Sequence, residues 1–176
     1  ATLNLTGNLI KSAGSTFVAT AGGYVRFELN STGPRSISGS FAFDNLAIAT
    51  TGATNSTINF NSTGSSTSAT LFFDGAACPM AYRGSISVTD ALTISGSAVT
   101  AAPNNTATIN FIGAGAKTIT GTGSALQNPI GNITFNTAGS LTMSGNITIA
   151  RSTSTAALIG GLWTTTNIGS FTAGTS

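Results

Sequence analysis

The stretch Leu92-Thr93-Ile94-Ser95-Gly96 shows the pattern that decides the fold of this chain. Apolar residues alternate with small polar residues, and a glycine ends the run. Leu3-Asn4-Leu5-Thr6-Gly7 and Leu141-Thr142-Met143-Ser144-Gly145 follow the same pattern. A period of two that ends in a turn residue indicates a β-strand with one buried face.

Short runs of this kind fill most of the chain. They occur at 24–29, 36–38, 57–60, 85–88, 108–111, 117–120 and 132–135. Their polar positions are mainly Thr, Ser and Asn, and the β-branched Thr suits a pleated surface. No window shows the apolar stripe of an amphipathic helix, and the helix formers Glu, Lys and Gln are scarce. The sequence therefore predicts an all-β protein.

Similar blocks return in the same order along the chain. We interpret residues 1–176 as one all-β domain of imperfect repeats of about 50 residues. The units span about 2–50, 91–140 and 141–176, and about 51–90 is an insertion. Each full unit makes two coils of roughly 25 residues. Stacked coils form a β-solenoid, with Thr, Ser and Asn outside and apolar side chains inside.

A second architecture fits the same pattern. A β-sandwich or jelly roll, completed by a strand donated from a neighbouring subunit, also has many short strands separated by turn signals. Two imperfect repeats are equally compatible with two halves of a sandwich. The sequence leaves the solenoid and the sandwich open.

Composition argues against catalysis and nucleic-acid binding. The 176 residues include 31 Thr, 22 Ser, 22 Gly and 15 Asn, but only six basic residues, four acidic residues and no His. The basic residues are scattered, whereas a nucleic-acid surface clusters them. Without His, neither a Ser-His-Asp triad nor a common zinc site can form. We expect no enzyme activity, no cofactor and no metal.

The four acids are Glu28, Asp44, Asp74 and Asp90, which are distant from one another in sequence. A remote alternative, a β-helix enzyme that degrades polysaccharides, requires the fold to cluster them. Arg26 and Glu28 are two apart in one run, so they share a strand face and form at most a small surface pair.

Both ends of the chain carry uncharged strand-like runs, which favours self-association. Neither end has the Pro, Lys or inward charge that usually blocks strand addition. We therefore predict head-to-tail assembly through terminal or edge strands. The candidate subunit contacts are Leu3, Leu5, Leu9, Trp163 and Phe171.

The stretch 71–83 is the least repetitive part of the chain, and it contains the single cysteine, Cys78. We interpret it as a lid that covers an open edge of the core, or alternatively as a contact loop. No apolar run is long enough for a membrane-spanning helix. The chain opens with a strand-like pattern and no signal peptide, so we expect a processed, mature N-terminus.

Three sets of segments carry a resemblance to a known family: 141–148, then 108–111 with 117–121, and then 160–163 with 169–174. Their order resembles a Ser/Thr/Gly/Asn-rich β-strand repeat family of large prokaryotic cell-surface proteins. The resemblance implies a cell-surface location and no catalytic residues. The insertion at 51–90 departs from the family pattern. Composition alone is also similar to donor-strand pilus and biofilm-fibre subunits.

Seven Asn-X-Thr triplets are possible N-glycosylation sites in an exported chain. They begin at Asn4, Asn30, Asn55, Asn61, Asn104, Asn132 and Asn146. We expect an extracellular structural subunit of a homopolymeric filament, pilus or sheath. An adhesin or carbohydrate-binding segment, which would bind glycans or a neighbouring cell surface, is the alternative. It requires an exposed aromatic cluster, with Tyr24, Tyr82 and Trp163 as candidates.

Overall fold

The chain folds into stacked β-strands. A computed structural model describes residues 1–17, 19–30, 33–51, 56–61, 66–75, 80–96, 99–101, 108–122, 132–136, 139–145, 163–167 and 170–173. Every regular element in these ranges is a strand. The strands are β1 (Thr2–Leu5), β2 (Leu9–Ile10), β3 (Tyr24–Leu29), β4 (Arg35–Ser38), β5 (Ala42–Thr50), β6 (Ser56–Asn61), β7 (Thr67–Gly75), β8 (Met80–Gly96), β9 (Val99–Ala101), β10 (Thr108–Ile112), β11 (Lys117–Thr122), β12 (Asn132–Asn136), β13 (Ser140–Gly145), β14 (Trp163–Asn167) and β15 (Ser170–Ala173).

All strand pairs among the described residues are parallel, and each joins residues about one coil apart. Tyr24 lies opposite Asn45, 21 residues further along, and Leu141 lies opposite Phe171, 30 residues further along. A parallel partner requires the chain to travel around and return to the same edge. Here the return path is itself made of strands, which defines a β-solenoid. The solenoid prediction is therefore confirmed, and the sandwich alternative, which requires antiparallel sheets, is wrong.

The coils have three faces. Face A contains β1, β3, β11, β13, β15 and the C-terminal parts of β5, β7 and β8. Face B contains β2, β4, β6, the start of β8 and β9. Face C contains the starts of β5 and β7, the middle of β8, and β10, β12 and β14. Because β5, β7 and β8 each pass from one face to another, the three faces enclose one core.

Like side chains stack on like side chains inside the coils. On face A, Val25, Leu46 and Leu71 lie in register with one another, and Leu92 and Ile119 continue the row. All of these residues are buried. Burying one such side chain contributes about 1.5–3 kcal/mol. The period-two pattern in each run therefore becomes a continuous apolar column only when the coils stack.

Aromatic rings also pack inside the coils. Phe111 and Phe135 lie in register on β10 and β12 and stack with ring centroids 5.1 Å apart, while Phe73 on face A packs across the core against Tyr82 on face B at 5.3 Å. The corner inside β8 is made by Gly84, whose φ of 78° is unfavourable for other residues. A Cβ there would overlap the carbonyl group of Phe60 in the neighbouring coil. Glycine at this corner therefore allows close stacking of the two coils.

Two features differ from the sequence interpretation. Residues 51–90, expected as an insertion, supply β6, β7 and most of β8, which pair with neighbouring coils on both sides. They are therefore coils of the solenoid. Blocks that look alike also occupy different faces, since 36–39 lies on face B whereas 118–121 lies on face A. Low-complexity strands resemble one another regardless of their place in a coil.

The lid interpretation of 71–83 is wrong for its described residues. Leu71 and Phe73 on β7, and Met80 and Tyr82 on β8, are buried in the core between neighbouring strands. Their alternation places these bulky side chains inside the coils, not over an edge. Cys78 lies outside the described residues.

Candidate functional site at the first coil

The first coil, comprising β1, β2 and the loop that follows to residue 23, is the candidate assembly site. β1 pairs with β3, and β2 pairs with β4. Neither strand has a second partner within the part of the chain that the structure describes. Each one therefore presents a row of backbone N–H and C=O groups at its outer edge, which can pair with an added strand.

Apolar side chains accompany these open edges. Leu3 is 46% exposed and Ile10 is 70% exposed, and both lie on the first coil. Leu5 and Leu9 are partly buried and pack against the core. The structure thus brings together three of the predicted contact residues, Leu3, Leu5 and Leu9. Sequence reasoning missed Ile10, because a two-residue strand gives almost no alternation to detect.

The other predicted contacts lie in the last described coil. Trp163 begins β14 and pairs with Ile133, while Phe171 lies in β15 and pairs with Leu141. Their side chains are outside what the structure describes. Within the described ranges, β14 and β15 each pair with one strand, as β1 and β2 do.

Several hydrogen bonds hold the first coil in place. The Arg35 side chain donates from Nε to the Thr6 carbonyl at 2.6 Å, and Asn8 Oδ1 accepts from the Ser36 backbone at 2.9 Å. The Lys11 ammonium donates to the Ser40 carbonyl at 2.9 Å. The first coil is therefore an ordered surface that is tied to the coil behind it.

At the first-coil end of the solenoid, face C is closed, unlike faces A and B. The loop between β2 and β3 covers the first strand segment of face C, which is the start of β5. Phe17 from this loop makes edge contacts with Phe41 and Phe43, at ring-centroid distances of 5.4 Å in both cases. An aromatic cap therefore closes face C, whereas faces A and B keep open strand edges.

A cleft beside this loop offers little chemistry. It has a volume of about 390 Å³ and is lined by Lys11, residues 12–15, Gly39 and Ser40. Small-molecule sites are mostly apolar with a few convergent polar groups. This cleft is open and lined by small residues, and its one charged group already binds Ser40. We therefore assign it no ligand.

The acids are distributed over three places. Glu28 and Asp74 both approach Arg26 on face A, at 3.5 and 3.6 Å. The predicted Arg26–Glu28 pair is therefore confirmed. Asp44 accepts hydrogen bonds from the Gly22 backbone and the Asn45 amide, and Asp90 is exposed. The described residues contain no group of three or more side chains that could hold a metal.

Two buried titratable groups lie away from the first coil. Burial raises the pKa of the Tyr82 hydroxyl, which has no hydrogen-bond partner among the described residues. Tyr82 is consequently unable to serve as an exposed aromatic contact. Burial lowers the pKa of the Lys117 ammonium and Asp90 opposes this shift, while Lys117 Nζ donates to the Gly115 carbonyl at 2.6 Å.

The predicted glycosylation sites fall in different environments. Asn4 and Asn30 are exposed, on β1 and directly after β3 respectively. Asn61 and Asn132 lie within β6 and β12, and nothing is described of their side chains. Asn55, Asn104 and Asn146 lie outside the described residues.

Comparison with known proteins gives no match. No family model fits the sequence, and neither a curated protein nor a solved structure is significantly similar to it. In the described residues there is also no helix of the length and apolarity needed to cross a membrane. The first coil and the outer surface of the solenoid are therefore the basis for any functional inference.

Proposed function

We propose that this chain is a structural subunit of an extracellular homopolymeric filament, pilus or sheath. Subunits assemble head to tail, and the first coil of one subunit accepts the last coil of the next. The observation that supports this most directly is the exposure of Leu3 and Ile10 beside open strand edges. Elsewhere in the described chain, large apolar side chains are buried or partly buried.

Parallel pairing makes such stacking geometrically simple. Every described strand pair is parallel, so an added coil continues the ladders of faces A and B in the same direction. The contact is heterologous, since one end binds the opposite end of another copy. A heterologous contact that does not close into a ring gives an open filament.

The charge pattern also favours association. β1 and β2 contain no charged residue, and the net charge of the whole chain is +2. Low net charge promotes association between copies, and the absence of edge charges leaves strand addition unopposed. The extracellular location is part of the proposal and is supported by the Thr-, Ser- and Asn-rich composition.

The test places a lysine at each exposed apolar position of the first coil. We expect the wild-type chain to form filaments of uniform width in electron microscopy of unfixed samples. Leu3→Lys combined with Ile10→Lys should give particles that sediment as monomers, because position 3 lies in the inward column of face A, where an added ammonium would be desolvated between coils. Circular dichroism should show that the variant keeps the β-strand spectrum and unfolds cooperatively, although its melting temperature falls because the stabilisation supplied by assembly is lost.

The matched control is Thr89→Lys, which places the same charge at an exposed position on β8, away from the coil ends. This control should polymerise like the wild type. Deletion of residues 1–10 should also abolish polymers while leaving folded subunits. Polymers that persist in both the lysine pair and the deletion would overturn the proposal, as would a wild-type chain that remains monomeric at high concentration.

A further inference from the structure

The outer side of face A has one region of unusual chemistry. Along most of this face the outward positions are small and uncharged, such as Thr93, Ser95, Thr118 and Thr120. On β3 and β7 they are instead Tyr24, Arg26, Glu28, Phe72 and Asp74. We call these five side chains the face A patch. It gathers aromatic and charged residues from two strands, and the residues contributed by β3 are at least 44 positions from those contributed by β7.

Arg26 organises the polar part of the patch. Its guanidinium lies 3.5 Å from Glu28 on its own strand and 3.6 Å from Asp74 on β7. To reach Asp74 it crosses β5, where the outward residues are the small Ala47 and Ala49, both fully buried. Ser95 on β8 further donates a hydrogen bond to Asp74 at 3.4 Å. The contacts hold one donor group and two acceptor groups in a fixed arrangement.

The aromatic part of the patch is not required by the fold. Tyr24 and Phe72 are partly exposed, and their rings lie outside the core. The residues that pair with them in neighbouring coils are small or polar: Thr2 and Asn45 lie beside Tyr24, and Ala47 and Thr93 lie beside Phe72. The fold therefore accepts a threonine at the equivalent outward position of a coil. The two rings expose apolar area to water without contributing to the core, which points to a ligand.

We propose that the face A patch binds a neutral polysaccharide. The apolar ring faces of sugars pack on Tyr24 and Phe72, while sugar hydroxyls accept hydrogen bonds from Arg26 and donate to Glu28 and Asp74. Hydrogen bonds with one charged partner are about twice as strong as neutral ones. An anionic chain is disfavoured because two carboxylates accompany one guanidinium. This inference is independent of filament assembly, since the patch lies on the side of the solenoid.

The neighbouring coils supply substitutions that the fold already accepts. Tyr24→Thr and Phe72→Thr introduce the residues found in register at Thr2 and Thr93, and Arg26→Asn introduces the residue found at Asn4. Thr118→Ala is the matched control, because it changes an exposed outward position of face A on β11. All four variants should keep the wild-type melting temperature within a few degrees.

The experiment is affinity electrophoresis of the full chain, loaded at a concentration low enough to keep it monomeric, in native gels that contain a soluble polysaccharide. The probes are hydroxyethylcellulose, dextran, galactomannan and soluble starch, with heparin as an anionic comparison. We expect at least one neutral polymer to retard the wild-type chain. Tyr24→Thr and Phe72→Thr should weaken this retardation about tenfold each, and Arg26→Asn should weaken it as well, while Thr118→Ala binds normally.

Three results would overturn the inference. The first is no retardation by any neutral polymer in the panel, and the second is retardation that the patch variants leave unchanged. The third is binding to heparin alone that disappears with added salt, which would assign the interaction to scattered basic residues. Since the filament test changes Leu3 and Ile10 and this test changes the patch, either proposal can fail without the other.

Discussion

The first coil and the central coils carry the same sequence pattern but differ in what surrounds them. Leu3 in β1 and Leu71 in β7 occupy the same inward column of face A, yet Leu3 is 46% exposed and Leu71 is fully buried. Leu71 has a coil on each side, whereas Leu3 has one on a single side in the described chain. An inward side chain of a solenoid is therefore buried by the neighbouring coils and not by its own strand.

The largest difference should appear when an aromatic side chain is removed from each region. Phe73→Ala in the central coils should lower the free energy of unfolding by about 3–5 kcal/mol, because it leaves a cavity beside the ring of Tyr82. Phe17→Ala in the first coil should cost about 1–2 kcal/mol, since Phe17 is only partly buried. Urea unfolding followed by circular dichroism measures both. Equal losses would mean that the first coil is packed as tightly as the centre.

The next largest difference in stability between the two regions is expected from substitution of glycines at positive φ. Gly84 in β8 and Gly14 in the first coil have φ values of 78° and 81°. An added Cβ at Gly84 overlaps Phe60, but at Gly14 it meets open space. Gly84→Ala should therefore cost at least about 3 kcal/mol, and Gly14→Ala about 1–2 kcal/mol, the ordinary cost of the left-handed conformation. Thermal melts of the two variants test this, and a mild Gly84→Ala would show that the corner can relax.

Removal of a tyrosine hydroxyl should also distinguish the core from the surface. In the core it should raise the free energy of unfolding, whereas the substitutions above lower it. The Tyr82 hydroxyl is buried without a described partner, so Tyr82→Phe should stabilise the chain by about 1 kcal/mol. Tyr24 is partly exposed on the outer side, so Tyr24→Phe should change stability by less than about 0.5 kcal/mol. Denaturant midpoints report both values. Destabilisation by Tyr82→Phe would reveal a hydrogen bond from residues outside the described ranges.

The smallest expected effect is a pH dependence at Lys117, because Asp90 partly offsets the effect of burial. Since the folded chain lowers the pKa of Lys117 below 10.5, the unfolded chain binds this proton more tightly. Stability should therefore rise with pH between the lowered pKa and about 10.5. Lys117→Met should remove this rise, whereas Lys11→Met in the first coil should retain it. Melting temperatures from pH 7 to 10 test the difference, and identical profiles for wild type and Lys117→Met would contradict it.

Much of the fold could be predicted from local pattern. Alternation in runs such as 24–29 and 108–111 gave the strands and their inward sides, and repetition favoured a solenoid. The sequence also placed Leu3, Leu5 and Leu9 close together, as the structure does on the first coil, while their role in assembly stays a prediction. The extent of the coils could not be predicted, because 51–90 keeps the period of two but does not carry the blocks in the order that defined the repeat units.

Local alternation was enough to predict that this protein is all-β and that Val25, Phe27 and Leu29 point inward, because side chains alternate along any strand. It could not determine which strands become neighbours. Only the tertiary structure brought Arg26 to Asp74, buried Tyr82 and Lys117, and left Leu3 and Ile10 exposed. The physical reason is that alternation acts between adjacent residues, whereas register between coils joins residues 19 or more positions apart and depends on every turn between them.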